Sequence, residues 1–229
     1  MSRTLPILLL DYDGTLAETR PAICRAIREG LLTMGLPPLA PGVLEDHLGR
    51  GATLAQFYKG LVPGATPEAI AAFEAAYRAH YKQADAEDTV IFPGVARTLE
   101  TLRKRGYLMI ALSNKHEGTL LEGIDRLGLK PYLTAALGAV PGLPRKPEAA
   151  VWTERLQPVL ARLGRGEAQP SDCLLVGDTT ADLGFGQAVG MPVAWASYGH
   201  GTPDSCTPYK PQFQINSFPE LLDHLPKPA

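Results

Sequence analysis

Two aspartates, Asp11 and Asp13, follow directly on the apolar run Ile7-Leu8-Leu9-Leu10 and precede Gly14-Thr15-Leu16. Four apolar residues bounded by polar ones fit a buried strand. A strand ending in two carboxylates and a glycine carries charge to the edge at which open α/β sheets bind ligands. Carboxylates held that close repel each other unless a cation or a shared proton lies between them. The same residues also fit a plain strand end with an Asp-Gly turn. Three later points bear on the choice: Ser113-Asn114, Lys146-Pro147, and Gly177-Asp178-Thr179-Thr180-Ala181-Asp182. Taken singly, each has an ordinary reading, respectively a helix N-cap, a solvated lysine at a helix start, and a strand-to-helix turn. An ordinary reading of the whole set requires all of them to coincide.

The elements that must position these residues are legible in the apolar pattern. Short apolar runs recur at 7–10, 108–112, 173–176 and 193–196, and the first three end in the polar points above. Helical periodicity lies between them at 96–104, 120–127, 147–163 and 181–189, with Gly106 and Gly128 just past two of these segments as C-terminal caps. Strand and helix alternating at this rhythm predict an α/β fold, a Rossmann-like parallel sheet with helices on both faces. A parallel sheet gathers the C-terminal ends of its strands on one edge, so Asp11, Asp13, Ser113 and Asp178 are expected to converge. The stretch from about Glu18 to Val90 has helical spacing, no convincing strand, and breaks at Pro37-Pro38, Pro41-Gly42 and Pro63-Gly64. Thr66-Pro67-Glu68 opens its longest helix, which is expected to run through Phe73 and Tyr77 toward Tyr81. The expected domains are a core of residues 1–17 and 91–229 and an all-helical insertion of residues 18–90.

In order and spacing, Asp11-x-Asp13-Gly14-Thr15, Ser113-Asn114, Lys146-Pro147 and Gly177-Asp178 through Asp182 resemble the haloacid dehalogenase-like hydrolase superfamily over most of the chain. The resemblance implies phosphoryl transfer, which needs an in-line nucleophile and compensation of charge on the transferred group. It assigns the nucleophile, forming an aspartyl-phosphate, to Asp11 and the proton exchanges to Asp13. Lys146 is placed against the phosphate and the nucleophile. Mg2+, a hard oxygen-seeking ion, falls to Asp11, Asp178 and the backbone carbonyl of Asp13, with Asp182 orienting a metal-bound water. Hydroxyls of Thr15 and Ser113 and N–H donors of Gly14 and Asn114 are expected on the phosphoryl oxygens. Asp at position 13 favours phosphate chemistry over dehalogenation. The insertion looks like the cap of the phosphoglycolate phosphatase and β-phosphoglucomutase group, and Ser113-Asn114-Lys115 is similar to the Thr-Asn-Lys of phosphoglycolate phosphatases. Glu18-Thr19 departs from the Asp-Ser of many members, and Gly186 stands where Ala is usual. The expected function is Mg2+-dependent hydrolysis of a small phosphomonoester, with 2-phosphoglycolate the best substrate. The rival readings are a sugar-phosphate mutase, a phosphonate hydrolase using Lys59, and a non-catalytic binding module on the same fold.

Composition excludes several other classes. With 229 residues, 45% hydrophobic, 20% charged and a net charge of −2, the chain shows no bias toward nucleic acid or an anionic membrane. Three scattered cysteines argue against a disulfide framework and fit a reducing compartment. No run reaches the length that spans a bilayer. The expected setting is cytoplasmic, with a small phosphorylated metabolite as partner and a monomer or homodimer as assembly. Cys24 and Cys173 fit packing positions, and Trp152 and Trp195 core or rim. The five histidines form no ligand-spaced pair and are expected mostly at the surface. Arg50, in Leu48-Gly49-Arg50-Gly51, is a candidate substrate contact because flanking glycines let backbone approach a ligand. A solvated loop arginine fits it as well.

Overall fold

The computed structural model describes residues 7–226 other than 41, 50 and 52; the Arg50 expectation therefore lies outside the described residues. In chain order the elements are β1 (Ile7–Leu10), β2 (Ala17–Glu18), α1 (Arg20–Thr33), α2 (Val43–Gly49), α3 (Leu54–Leu61), α4 (Pro67–Asp88), β3 (Val90–Ile91), α5 (Val95–Lys104), β4 (Met109–His116), α6 (Glu117–Arg126), β5 (Ala135–Ala139), α7 (Gln157–Arg162), β6 (Cys173–Gly177), α8 (Thr180–Val189), β7 (Val193–Ala196), α9 (Pro203–Cys206), β8 (Phe213–Ile215) and α10 (Leu221–His224).

Six strands form one parallel sheet in the order β5-β4-β1-β6-β7-β8. β1 is its centre, with all four residues buried, because every side chain meets a helical layer on one face or the other. Leu8 and Leu10 point into one apolar cluster with Val95, Leu99 and Leu120, and Ile7 and Leu9 into the opposite one with Leu156, Leu183 and Phe185. From β1 the chain builds outward in one direction through β4 and β5 and then returns to build the other side from β6. The strand order thus reverses between β1 and β6, and their C-terminal ends form the crevice where such sheets bind ligands.

Between β2 and β3, helices α1–α4 carry apolar clusters of their own, one built from Ile27, Leu31, Phe57, Tyr58 and Phe73, another from Ala22, Ala26, Tyr81 and Ala84. The chain enters and leaves this segment through an antiparallel pairing of Ala17 with Ile91 and Glu18 with Val90. α4 starts as its sequence predicts: Thr66 Oγ1 accepts from Ala69 N at 3.3 Å and Pro67 opens the helix.

Four strands differ from the pattern read in the sequence. β2 and β3 are two-residue strands, too short to leave a period-two signal. β5 is Ala-Ala-Leu-Gly-Ala and β8 only three residues, without the β-branched run that marks a strand. The helix expected over 147–163 starts at Ala150 and contains a π-helical turn, Trp152–Leu156, before it continues as α-helix from Gln157. Gly186, where Ala is usual, is explained by packing, since a Cβ there would run into the Val193 side chain.

Candidate active site

The carboxylates arrive on strand ends and the cation on the loop after β5. Asp11 follows β1, and its N–H donates to Val176 O at 2.9 Å, so the β1–β6 ladder itself fixes where its side chain leaves the sheet. Asp178 follows β6 and Asp182 lies in the first turn of α8. Lys146 is buried, and its ammonium donates to Asp11 Oδ1 at 2.8 Å, to Asp182 Oδ1 at 2.5 Å and to Leu112 O at 2.6 Å. Three donors meet three acceptors, leaving the ammonium fully used. Asn114 positions the backbone of this lysine: its Nδ2 donates to Lys146 O at 2.8 Å and its Oδ1 accepts from Lys146 N at 3.0 Å. One proton of the Asn114 amide and its oxygen are thus used on the lysine loop.

Two other donors expected on a phosphoryl group are used inside the chain. Gly14 N–H donates to Ala17 O at 2.8 Å, closing the turn after Asp13. Thr15 is fully buried, with its hydroxyl donating to Asp178 Oδ1 at 3.3 Å. Gly14 has a second task. Its φ of +76° is a left-handed conformation, and a side chain there would run into the Asp178 carboxylate. Ser113 does face the cavity over the sheet edge, and its Oγ accepts from Lys115 N at 3.3 Å.

Asp182 does two jobs. Its Oδ2 accepts from Thr179 N at 3.1 Å and from Thr179 Oγ1 at 3.0 Å, capping α8, while Oδ1 holds Lys146. Asp178 is fully buried; its Oδ2 accepts from His200 N at 2.6 Å, and its carbonyl from the Trp195 indole at 3.1 Å. His200 and His47 are the exceptions to the expectation of histidines mostly at the surface, since both are buried. The His200 ring lies between Asp178 Oδ2 (3.9 Å) and Glu18 Oε1 (3.8 Å). Its flanking glycines, Gly199 and Gly201, were the available signal, because a Cβ on either would collide with Asp178.

One oxygen from each of Asp11, Asp178 and Asp182 lies within 4.8 Å of the others, and all three side chains are buried. Burial, with the neighbouring carboxylates adding to it, pushes Asp11 and Asp178 well above the usual carboxylate range, against the pull of Lys146 on both and of His200 on Asp178. Burial alone would neutralise Lys146, but Asp11 and Asp182 more than offset it and keep the ammonium charged. Three buried carboxylates against one ammonium leave an excess of negative charge on hard oxygen donors. That donor set fits a divalent cation of the Mg2+ type.

Above this centre a cavity of about 870 Å³ separates the sheet edge from the helical segment. Asp11, Asp13, Ser113, Lys146 and Asp182 line its floor, and Tyr77, Arg78 and Tyr81 of α4 line its far side. Lys59, the lysine a phosphonate hydrolase was expected to use, is exposed on α3 and is not among the cavity-lining residues, whereas Lys82 of α4 is.

A buried carboxylate and lysine at the switch point of a parallel sheet, with further carboxylates from the adjacent strand, form the candidate active site, and comparison with known proteins gives the family. The model of the haloacid dehalogenase-like hydrolases matches residues 8–196, and the chain belongs to that family. It is 29% identical to a phosphoglycolate phosphatase of Rhodospirillum rubrum over 199 residues, covering 84% of this chain and 80% of the relative. It is also 29% identical to one of Aquifex aeolicus, covering 85% of each. A predicted phosphoglycolate phosphatase of Haemophilus somnus has the same fold, with a TM-score of 0.81, 22% identity, and coverage of 96% of this chain and 97% of that one. Within the family the chain thus sits in the phosphoglycolate phosphatase-like group, and it is a phosphatase. No helix among the described residues is long and apolar enough to cross a membrane.

Proposed function

We propose that this phosphatase hydrolyses a small phosphomonoester, 2-phosphoglycolate being the best candidate, through an aspartyl-phosphate on Asp11. The observation that carries the reading is Asp11 itself: buried at the end of the central strand, one oxygen fixed by Lys146 at 2.8 Å, and its side chain lining the cavity floor. Fixing one oxygen orients the other for attack and avoids the entropy of a freely rotating nucleophile. A carboxylate that takes the phosphoryl group splits one hard displacement into two. Asp13, two residues on and also facing the cavity, protonates the leaving oxygen in the first step and takes a proton from the attacking water in the second. Lys146 neutralises charge at the nucleophile as the phosphoryl group approaches, and Ser113 offers its hydroxyl to a phosphoryl oxygen.

Asp11, Asp178 and the Asp13 carbonyl would hold Mg2+, with Asp182 behind them. The bound ion supplies charge neutralisation on the phosphoryl oxygens. Residues 18–90 act as a cap that closes over the substrate and excludes water, and the partner is a small phosphorylated metabolite rather than nucleic acid or membrane. The protein works in the cytoplasm as a monomer or homodimer.

The test is a panel of phosphomonoesters with Mg2+ and with excess chelator. The account predicts turnover only with the metal, and a higher kcat/KM for 2-phosphoglycolate than for sugar phosphates. Full activity in chelator contradicts the metal assignment, and a preference for a hexose phosphate contradicts the substrate.

A further inference from the structure

We propose that Lys115 is a positioning residue for Asp13, holding its carboxylate in the orientation from which it exchanges protons, by means of a contact that α4 supplies. The proposal rests on the reading of Asp13 as the acid–base.

Asp13 is anchored differently from Asp178 and Asp182. Asp178 and Asp182 each accept hydrogen bonds on both oxygens from their own surroundings. Among the described residues, the only side chain bonded to the Asp13 carboxylate is Lys115, whose Nζ donates to Asp13 Oδ1 at 3.0 Å. The Asp13 side chain is 20% exposed and that of Lys115 only 7%. The lysine is thus the fixed partner and the aspartate the one that needs fixing.

Lys115 is held by the aromatic side chains around its ammonium. It donates to Tyr81 Oη at 2.5 Å and lies 5.5 Å from the centre of the Tyr12 ring and 4.4 Å from that of Tyr81. The Tyr81 hydroxyl in turn donates to Asp85 Oδ1 at 2.8 Å. Burial raises Tyr81 well above the ordinary phenol value, so it stays a neutral hydroxyl that accepts from the lysine and donates to the aspartate. Asp85 is held from two further sides, by Arg126 Nη2 of α6 at 2.6 Å and by Thr89 Oγ1 at 2.9 Å. The row Asp13–Lys115–Tyr81–Asp85–Arg126 runs from the end of β1 into α4 and back to the core. The position of α4 therefore decides whether the Asp13 carboxylate has its partner. A displaced α4 takes Tyr81 with it and releases the lysine that orients the acid–base, so proton transfer is competent only with the helix seated.

The test compares Lys115→Met, Lys115→Arg, Tyr81→Phe and Asp13→Asn on ethyl phosphate and on nitrophenyl phosphate. It reads kcat, KM and first-turnover release of the leaving group. A charge-assisted hydrogen bond is worth enough for Lys115→Met to lower kcat on ethyl phosphate about ten- to a hundredfold. KM should stay within about twofold, and first-turnover nitrophenolate release should hardly change, since that leaving group needs no proton. Lys115→Arg should recover part of the loss. Tyr81→Phe, which keeps its ring stacked on Tyr77, should follow in the same direction and serves if Lys115→Met does not fold. An effect confined to KM makes Lys115 a substrate contact and overturns the proposal. Equal losses of first-turnover release from both phosphates overturn it too. If Asp13→Asn shows the leaving-group dependence and neither Lys115→Met nor Tyr81→Phe does, the proposal alone fails. If Asp13→Asn lacks that dependence, the acid–base reading fails and takes the proposal with it.

Discussion

Lys146 carries a disproportionate share of the site's electrostatics. It satisfies carboxylates from β1 and α8 at once and spends its third proton on a β4 carbonyl. Lys146→Met keeps the length of the side chain and removes the charge. Breaking a buried pair by removing one partner costs about 3–5 kcal/mol, which in a chain of this size is a fall in melting temperature on the order of ten degrees. The sign of its pH dependence follows from the carboxylates. Without the ammonium's pull, Asp11, which burial already holds at about 8 in the folded parent, keeps its proton to higher pH in the folded variant. Its stability relative to the parent must drop as pH rises through about 8, where the folded parent releases that proton. Thermal melts of both proteins in chelator on either side of that pH check this, and a pH-independent gap would contradict it. The residue scale also shows where sequence reading stops. The aspartates of β1 and β6 stand out because apolar runs deliver them, whereas His200, Asp85 and Arg126 look like any solvated polar residue. The His200–Asp178 and Asp85–Arg126 contacts span 22 and 41 positions, and no local pattern records such a separation.

At the scale of elements, the join between α4 and α6 has a pH signature of its own. Burial raises Asp85, but Lys115, Tyr81, Arg126 and Thr89 together more than offset this and hold its carboxyl below the ordinary value. A carboxylate lowered in the folded state stabilises fully above its unfolded pKa, near 3.8, and loses that contribution as pH falls through the folded value. Asp85→Asn should therefore be less stable than the parent at pH 6, with the difference shrinking below about pH 4. Circular dichroism melts at pH 6, 4 and 3 would show a constant difference if Asp85 were not ionised in this contact. Helices α4 to α8 and the four main strands were legible because their periodicity spans several residues. β2, β3, β5 and β8 were not, because two- and three-residue strands and an Ala-Gly strand are held by their neighbours' ladders rather than by their own propensity.

For the whole molecule, a single geometric fact organises the rest: the strand order reverses between β1 and β6, so Asp11 and Asp178 face each other across one crevice. Helices α1–α4 stand over that crevice and enclose the cavity with it. The central claim is that Asp11 takes the phosphoryl group and Asp13 only moves protons. Asp13→Asn separates the two steps. With nitrophenyl phosphate the leaving group needs little protonation, so the variant should still be phosphorylated. Hydrolysis of the adduct, which has lost its base, should slow by roughly 10²–10⁴-fold. The most direct measurement is rapid quench of Asp13→Asn with nitrophenyl phosphate and Mg2+, followed by peptide mapping of the phosphorylated residue. The account predicts a burst of about one nitrophenolate per enzyme, with the phosphate on Asp11 and no adduct in Asp11→Asn. A phosphoryl group on any other residue, or steady turnover with no trapped adduct, would contradict it.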